Sequence, residues 1–370
     1  MRNALRARLA CGALFAAGLA PPVAAADDAP RSPTEPLVLL VQGDALLASK
    51  PDTGGDPQDP PPGAALRLRR ARVGDDVKLG DFRLRVVFEG EAETAAGVPF
   101  TPLAGGRLPH GGPIRTTETY FAWVPARAFR LGAGSLRVPF SLSRQVDEGD
   151  LRLPERPPFA DAFLPDYRVG ADVGGDLGEL LYRVAVMSAD PTLDRQLFDH
   201  GVLVAGRLVA EPIGPVGLTP WRRAPADPWY GWFRFAAGLS VLYGTVAAPD
   251  TLAVDPDFTA QWRAFVVTAE YLYAARYHGT AVLPGTTEQG AALEPGVTLL
   301  ERRLDLVARG DWERAAGTNV WGAGAALTAY GPDPRLRLGA GFERRWGELP
   351  PASPGGGSYW ALVRLAVVVN

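Results

Sequence analysis

Polar and apolar residues alternate along several segments of this chain. Between Phe233 and Tyr243 every second side chain is apolar or aromatic, whereas Arg234 and Ser240 lie on the opposite face. A period of two is typical of a β-strand, and about 10 residues are enough to cross a membrane as a tilted strand. Aromatic residues tend to lie at the ends of these segments, where a membrane barrel carries its interfacial girdles.

The strands of a soluble β-sandwich also alternate, so the chemistry of the polar face decides between the two folds. That face carries Arg, Glu, Gly and Ser, and arginine recurs on it from segment to segment. Arginines without partners cannot fill a dry core, because each unpaired buried charge costs several kcal/mol. We therefore predict an all-β fold, a transmembrane antiparallel up-and-down β-barrel with a water-filled interior.

Fourteen candidate strands can be counted, an even number as bacterial single-chain barrels require. They are 37–48, 64–74, 78–90, 116–125, 128–140, 166–176, 179–190, 200–212, 230–244, 258–277, 297–309, 318–330, 334–346 and 358–370. Tight turns, such as those predicted at 74–76 and 331–333, alternate loosely with long polar loops. The predicted long loops are 51–63, 94–115, 141–165, 248–257, 278–296 and 347–357.

The composition excludes several functional classes. With 38 Lys and Arg against 41 Asp and Glu, the net charge is −3, and no basic cluster offers a footprint for nucleic acid. Residues 1–26 have the basic start, apolar stretch and small-residue cleavage site of a secretory signal peptide, which leaves a single barrel domain at 27–370. The only cysteine, Cys11, would be removed with it.

Motifs for cofactors and catalysis are missing from the sequence. His110, His200 and His278 are far apart, so we expect no metal site. No glycine-rich phosphate loop follows a strand and opens a helix, and no Ser, His and Asp arrangement is indicated. We expect a protein without a cofactor that is not an enzyme.

Several segments resemble the phosphate-selective porin O and P family. They are LRLRRARV at 66–73 with KLGDF at 78–82, LGAGSLRVPFS at 131–141, FADAF at 159–163, VGADV at 169–173 and Glu270-Tyr271. The resemblance follows the order of elements along the chain and is sharpest over residues 64–212. It implies an outer-membrane homotrimer of sixteen-stranded barrels, in which a long third loop folds toward the lumen and arginines line the wall.

Three features depart from that family. The given sequence ends on Asn370, whereas barrels of the family usually finish on an aromatic residue. The strand count of fourteen is two short, so either two strands are hidden in 213–229 and 281–296 or the pore is smaller. Beyond the signal peptide the only lysines are Lys50 and Lys78, and neither lies in the third loop. The candidate constriction-loop residues are Arg144, Arg152 and Arg156 together with Asp147, Glu148 and Asp150.

The wall arginines are the better candidates for anion binding. Those that alternate with apolar residues, and are therefore predicted to line the pore, are Arg83, Arg85, Arg137, Arg183, Arg207, Arg234, Arg303, Arg309, Arg335 and Arg337. Arginine matches the geometry of oxyanions and could form a ladder of weak sites. Alternatively, these arginines pair with lumen acids such as Glu89, Glu270, Glu301, Asp305 and Glu343 and only line the wall.

These observations predict passive diffusion of small hydrophilic solutes, including anions such as phosphate, through an arginine-lined pore in the outer membrane. The expected partners are outer-membrane lipid and the solutes, with no nucleic acid. Three alternatives stay open at this point: a general non-selective porin, a structural or adhesion barrel plugged by its own side chains, and a soluble periplasmic β protein.

Overall fold

The computed structural model describes the greater part of the chain from Leu37 onward. The predicted signal peptide at 1–26 lies outside the described residues, as do the predicted site residues Asp147, Glu148, Asp150 and Arg335. The described residues are 37–49, 63–94, 115–146, 151–153, 156–163, 166–189, 201–214, 216, 231–245, 250–278, 281–282, 287–300, 303–315, 317–331, 336–347 and 358–369.

The described residues form seventeen strands and two short helices. The strands are β1 (Leu37–Ser49), β2 (Gly63–Leu79), β3 (Phe82–Thr94), β4 (Arg115–Ala126), β5 (Phe129–Arg137), β6 (Tyr167–Asp176), β7 (Leu180–Ser188), β8 (Val202–Ala210), β9 (Phe233–Gly244), β10 (Asp250–Trp262), β11 (Phe265–His278), β12 (Ala281–Val282), β13 (Glu288–Leu299), β14 (Leu304–Ala315), β15 (Thr318–Tyr330), β16 (Leu336–Gly347) and β17 (Ser358–Val369). The helices are α1 (Leu142–Gln145) and α2 (Pro158–Phe163). Neither helix of the described chain is long and apolar enough to cross a membrane.

The sheet returns to its own first strand. Each long strand pairs antiparallel with the next, and β11 pairs with β13 because β12 adds only two residues beside β11. Strand β1 pairs with β2 on one side and with β17 on the other, from Leu39 opposite Val369 to Ser49 opposite Tyr359. The sixteen long strands therefore form a closed ring, which leaves none of them as an edge strand.

The connections differ between the two ends of the barrel. One end, here called the turn end, carries short turns at 80–81, 127–128, 177–179 and 263–264. The other end, here called the loop end, carries the connections 50–62, 95–114 and 138–166. Two connections break the pattern, because 211–232 is long at the turn end and 316–317 is tight at the loop end. Short turns at one end and long loops at the other are typical of outer-membrane barrels.

The outer face of the sheet is apolar and the inner face is polar, the reverse of a soluble protein. On β9 the odd-numbered residues from Phe233 to Tyr243 face outward, and Leu239 is 48% exposed. The even-numbered residues face inward, where Arg234 and Ser240 are buried. The same alternation runs along β14 and β15. An apolar outer face and a polar inner face confirm the predicted barrel.

The first predicted turn was wrong. Gly74 to Asp76 continue β2, where Asp76 lies opposite Arg85 and points inward, and the chain turns at Gly80 and Asp81 instead. A Cβ atom at Gly74 would lie 2.3 Å from the carbonyl oxygen of Val86, so this glycine permits close approach of the two strands and is not a turn residue.

The count of fourteen candidate strands missed two, and the sixteen long strands lie within the predicted range of fourteen to sixteen. The segment 258–277 contains the end of β10, a turn at 263–264 and β11, and the segment 297–309 spans the junction of β13 and β14. The predicted loops at 248–257 and 278–296 are therefore largely strand. Both hidden strands contain a proline, which usually excludes an interior strand because it lacks an N–H group. The sheet accommodates Pro256 and Pro295 where the pairing of β10 with β11 and of β13 with β14 is interrupted.

We expect a charge on the outward face to destabilise the barrel according to its depth. In lipid vesicles, Leu239→Arg should lower the free energy of unfolding by about 2–4 kcal/mol, because its side chain lies mid-strand and faces outward. Leu79→Arg, at the end of β2, is the control and should cost about 1 kcal/mol or less. Urea titration followed by tryptophan fluorescence measures both. Equal losses for the two variants would contradict the assignment of the outer face to lipid.

Candidate functional site

The third long connection folds into the barrel, as predicted. Phe140 and Phe159 are 1% and 0% exposed and belong to an apolar cluster with inward-facing residues of several strands. The wall residues of this cluster include Ala185, Met187, Leu203, Ala205, Leu242, Ala253, Leu272, Ala274 and Ala292. Gly290 makes room for Phe159, because a Cβ atom there would lie 2.3 Å from the ring. The described residues of this connection, 138–146, 151–153 and 156–163, are called the inward segment below.

Glu270 of β11 binds the start of α1. The backbone N–H of Ser143 donates to both carboxylate oxygens of Glu270 at 3.2 Å, and the hydroxyl groups of Ser141 and Ser143 donate to the same carboxylate. The N–H of Ser141 also donates to Ser240 Oγ at 3.1 Å. The first N–H groups of a helix have no partner within it, so a buried carboxylate satisfies them well.

The three predicted constriction-loop arginines are buried and bind protein groups. Arg152 donates to both carboxylate oxygens of Asp305 on β14 at 3.0 and 3.1 Å. Arg144 donates to the carbonyl of Ala160 at 2.7 Å. Arg156 donates to two backbone carbonyls of the inward segment at 2.8 and 2.9 Å. These guanidinium groups therefore hold the inward segment together and attach it to the wall.

Arginines dominate one side of the inner surface, which we call the basic wall and which runs from β2 to β7. Arg83 and Arg85 share the carboxylate of Asp76, and Arg85 also pairs with Glu118. The other basic-wall pairs are Arg72 with Glu89, Arg137 with Glu118, and Arg130 and Arg183 with Asp172. Arg137 also donates to the Tyr167 hydroxyl at 2.7 Å.

Carboxylates dominate the inner surface from β10 to β14, which we call the acidic wall. Its inward-facing acids are Asp255, Asp257, Glu270, Glu294, Asp305, Asp311 and Glu313. Arg207 of β8 donates to both oxygens of Asp257 at 2.6 and 3.0 Å. Arg309 lies among Glu294, Asp311 and Glu343 of β16. The inward segment is thus attached to the acidic wall through its donors at Ser141, Ser143 and Arg152.

Arginines of the predicted ladder differ widely in exposure. The side chain of Arg83 is 37% exposed, and those of Arg183 and Arg85 are 24% and 18% exposed. Arg309 has a fully buried side chain, and Arg207 is only 8% exposed. The remaining predicted residues lie as follows: Arg137, Arg234 and Arg337 are buried, and Arg303 lies exposed in the turn between β13 and β14.

Of the predicted acid partners, Glu343 pairs with Arg309, which is one of the ten predicted wall arginines. Glu89 and Asp305 pair instead with Arg72 and Arg152, which are not among those ten. Sequence reasoning missed Asp172, which binds two arginines, and Asp257. Asp172 alternates with Gly170 and Gly174 along β6, so a period-two count would have placed it on the inner face. Asp257 adjoins Pro256 and was assigned to a loop, which hid it.

A small cavity lies between part of the inward segment and the wall. It has a volume of about 50 Å³ and lies between residues of α1, Arg152 and the inner faces of β11 and β13. Such a space holds one or a few water molecules. Among the described residues, no group of His, Cys, Asp and Glu side chains is arranged to hold a metal ion.

We expect Glu270 to control the order of the inward segment. Glu270→Gln removes the negative charge from hydrogen bonds that contribute about 1.5–3 kcal/mol each, so amide hydrogen exchange over 140–146 should accelerate at least tenfold. Glu288→Gln is the control, because Glu288 pairs with Arg276 at the end of β13. Mass spectrometry measures the exchange rates. Equal rates in the two variants would contradict this role for Glu270.

No protein-family model matches the sequence, and no curated protein matches it significantly. Solved structures do match in fold. OprB of Pseudomonas putida has a TM-score of 0.61 at 8% identity, covering 90% of this chain and 93% of that chain. An anion-selective porin from Comamonas acidovorans has a TM-score of 0.58 at 11% identity, covering 90% and 98%. OmpF of Salmonella typhi has a TM-score of 0.58 at 11% identity, covering 90% and 96%.

At these identities the likeness establishes a porin-type β-barrel fold and nothing finer. The resemblance to the phosphate-selective porin O and P family is not confirmed by these comparisons and stays a prediction. The chain has the fold of the outer-membrane porins.

Proposed function

We propose that this protein is an outer-membrane porin through which small hydrophilic solutes diffuse passively. The observation that carries the proposal is the inversion of polarity across one closed sheet, with large apolar side chains outside and charged side chains inside. A closed strand ring leaves no unpaired backbone edge in lipid, and charged residues inside a barrel are stable when water reaches them. The fold similarity to an anion-selective porin supports the same function.

The solute path runs between the inward segment and the basic wall. The inward segment packs against β7 to β13 through its apolar cluster, which fills that part of the interior. The basic wall, from β2 to β7, lies across the ring from the acidic wall to which the segment is attached. Solutes that pass the segment would therefore meet the guanidinium groups of the basic wall.

Exposure within the ion pairs supports a preference for anions, including oxyanions such as phosphate. In two ion pairs of the basic wall the arginine side chain is more exposed than the carboxylate. Arg83 is 37% exposed and its partner Asp76 is 11% exposed. Arg183 is 24% exposed and its partner Asp172 is 0% exposed. The carboxylates lie beneath the guanidinium groups and orient them. Exposed N–H groups then face the solute, and they match the geometry of oxyanions.

Nine of the ten predicted wall arginines remain in the proposed ladder, with unequal roles, because Arg303 lies in a turn. Arg83, Arg85 and Arg183 are exposed enough to exchange a partner for a passing anion. Arg207, Arg234 and Arg309 are buried and hold the wall together through their neighbours. The proposed location is the outer membrane, and the proposed assembly is the homotrimer that the family resemblance implies.

One observation favours a second function, a structural barrel that does not conduct. The inward segment buries large apolar side chains on the inner wall, as a plug does. Conductance distinguishes the two functions, because a plugged barrel inserts into bilayers without producing current steps.

We expect purified protein in a planar bilayer to give discrete conductance steps. In a KCl gradient, the sign of the reversal potential should show that chloride is more permeant than potassium. Arg83→Gln combined with Arg183→Gln should lower the chloride-to-potassium permeability ratio about two- to fivefold, since weak pairs of this kind contribute up to about 1 kcal/mol each.

Arg303→Gln is the control, because Arg303 is an exposed arginine in a turn and should leave the ratio unchanged. An absence of conductance steps would favour the structural barrel. A reversal potential of the sign for cations would leave a porin without the anion preference.

A further inference from the structure

Arg314 and Arg344 lie on the outward face of the barrel, beside outward-facing tryptophans of β14, β15 and β16. On β14 the outward positions are the even-numbered ones, and Arg314 occupies one of them near the loop end. On β16 the exposed residues Leu338, Phe342 and Trp346 face outward, and Arg344 shares their side. Among the described residues, neither arginine has a hydrogen bond or an ion pair.

A row of three tryptophans marks the depth of these arginines. Trp312 of β14 lies opposite Trp321 of β15, which lies opposite Trp346 of β16. The rings of Trp312 and Trp321 have centroids 6.0 Å apart, and the indole N–H of Trp312 donates to Asn319 toward the loop end. Tryptophan is enriched where lipid headgroups meet hydrocarbon, so the row indicates the interface at the loop end.

The arginines flank this row. Arg314 lies two residues beyond Trp312 toward the loop end, and Arg344 lies two residues from Trp346 toward the middle of the barrel. Two strand residues span about 6.6 Å. An arginine side chain is long enough to cover that distance, so the guanidinium of Arg344 reaches the tryptophan level while its stem lies along apolar surface.

A charge placed toward the hydrocarbon is unfavourable unless a counter-charge meets it. Lipid phosphates supply negative charge at the depth of the tryptophan row, and arginine forms paired hydrogen bonds with phosphate oxygens.

We propose that Arg314 and Arg344 bind the anionic phosphate headgroup of a membrane lipid at the loop end. The site rests on insertion of the barrel in a membrane, as argued under the proposed function, and not on conduction. Trp312, Trp321 and Trp346 form the apolar floor against which the acyl chains of that lipid pack. Its ligand class is a phospholipid or glycolipid with a net negative phosphate group.

Native mass spectrometry of the detergent-solubilised protein tests the proposal. The protein is mixed with equal amounts of phosphatidylglycerol and phosphatidylcholine, and the lipid retained on the folded barrel is counted. We expect the unchanged protein to prefer phosphatidylglycerol. Arg314→Gln and Arg344→Gln should each weaken that binding about fivefold, and the double variant roughly 25-fold, as expected for an arginine near a lipid surface. Phosphatidylcholine retention should not change.

Arg303→Gln is the matched control, since it removes an exposed arginine at the opposite end of the barrel. Resistance of the folded band to SDS before heating reports that each variant folds. Equal retention of the two lipids by the unchanged protein would overturn the proposal, as would undiminished phosphatidylglycerol binding by the double variant. Displacement of the lipid by millimolar inorganic phosphate would show a site for the free ion, and a loss of oligomers in place of lipid would show a protein interface. Single-channel current in the double variant separates a failure of this proposal from a failure of the proposed pore.

Discussion

The need to pair every backbone N–H and C=O group inside lipid governs this architecture. Water cannot satisfy those groups in hydrocarbon, so a sheet must close on itself, and the pairing of β1 with both β2 and β17 does so. Successive side chains of a strand point to opposite faces of the sheet. Closure therefore divides them into one set that faces the interior and one that faces outward. The apolar exterior and the charged interior both follow from that single constraint.

The sequence pattern predicted the strands in which polarity alternates without interruption. β9, β15 and β16 were found within a few residues, because their outward positions are apolar along most of each strand. β10 and β13 were missed as separate strands, because proline and its neighbouring acids mimic a loop. Only the pairing of the strands shows that Pro256 and Pro295 lie where that pairing is interrupted. A proline is tolerated there, because no hydrogen bond is lost through its missing N–H group.

The inner surface was predictable by residue type but not by partnership. Alternation predicted that the wall arginines share the inner face. It could not show that carboxylates collect on one side and arginines on the other, since that division depends on which distant strands face each other across the ring. The attachment of Ser141 and Ser143 to Glu270 joins residues 129 and 127 positions apart, beyond any local pattern.

That separation has a consequence for assembly. The inward segment precedes β6 in the chain, yet the strands that receive it, from β7 to β14, come later. It has no completed binding surface until most of the sheet exists. Contacts this distant in sequence form slowly. We therefore expect the segment to dock late, after the strands that receive it have formed, so that the interior takes its final shape only when the ring is nearly complete.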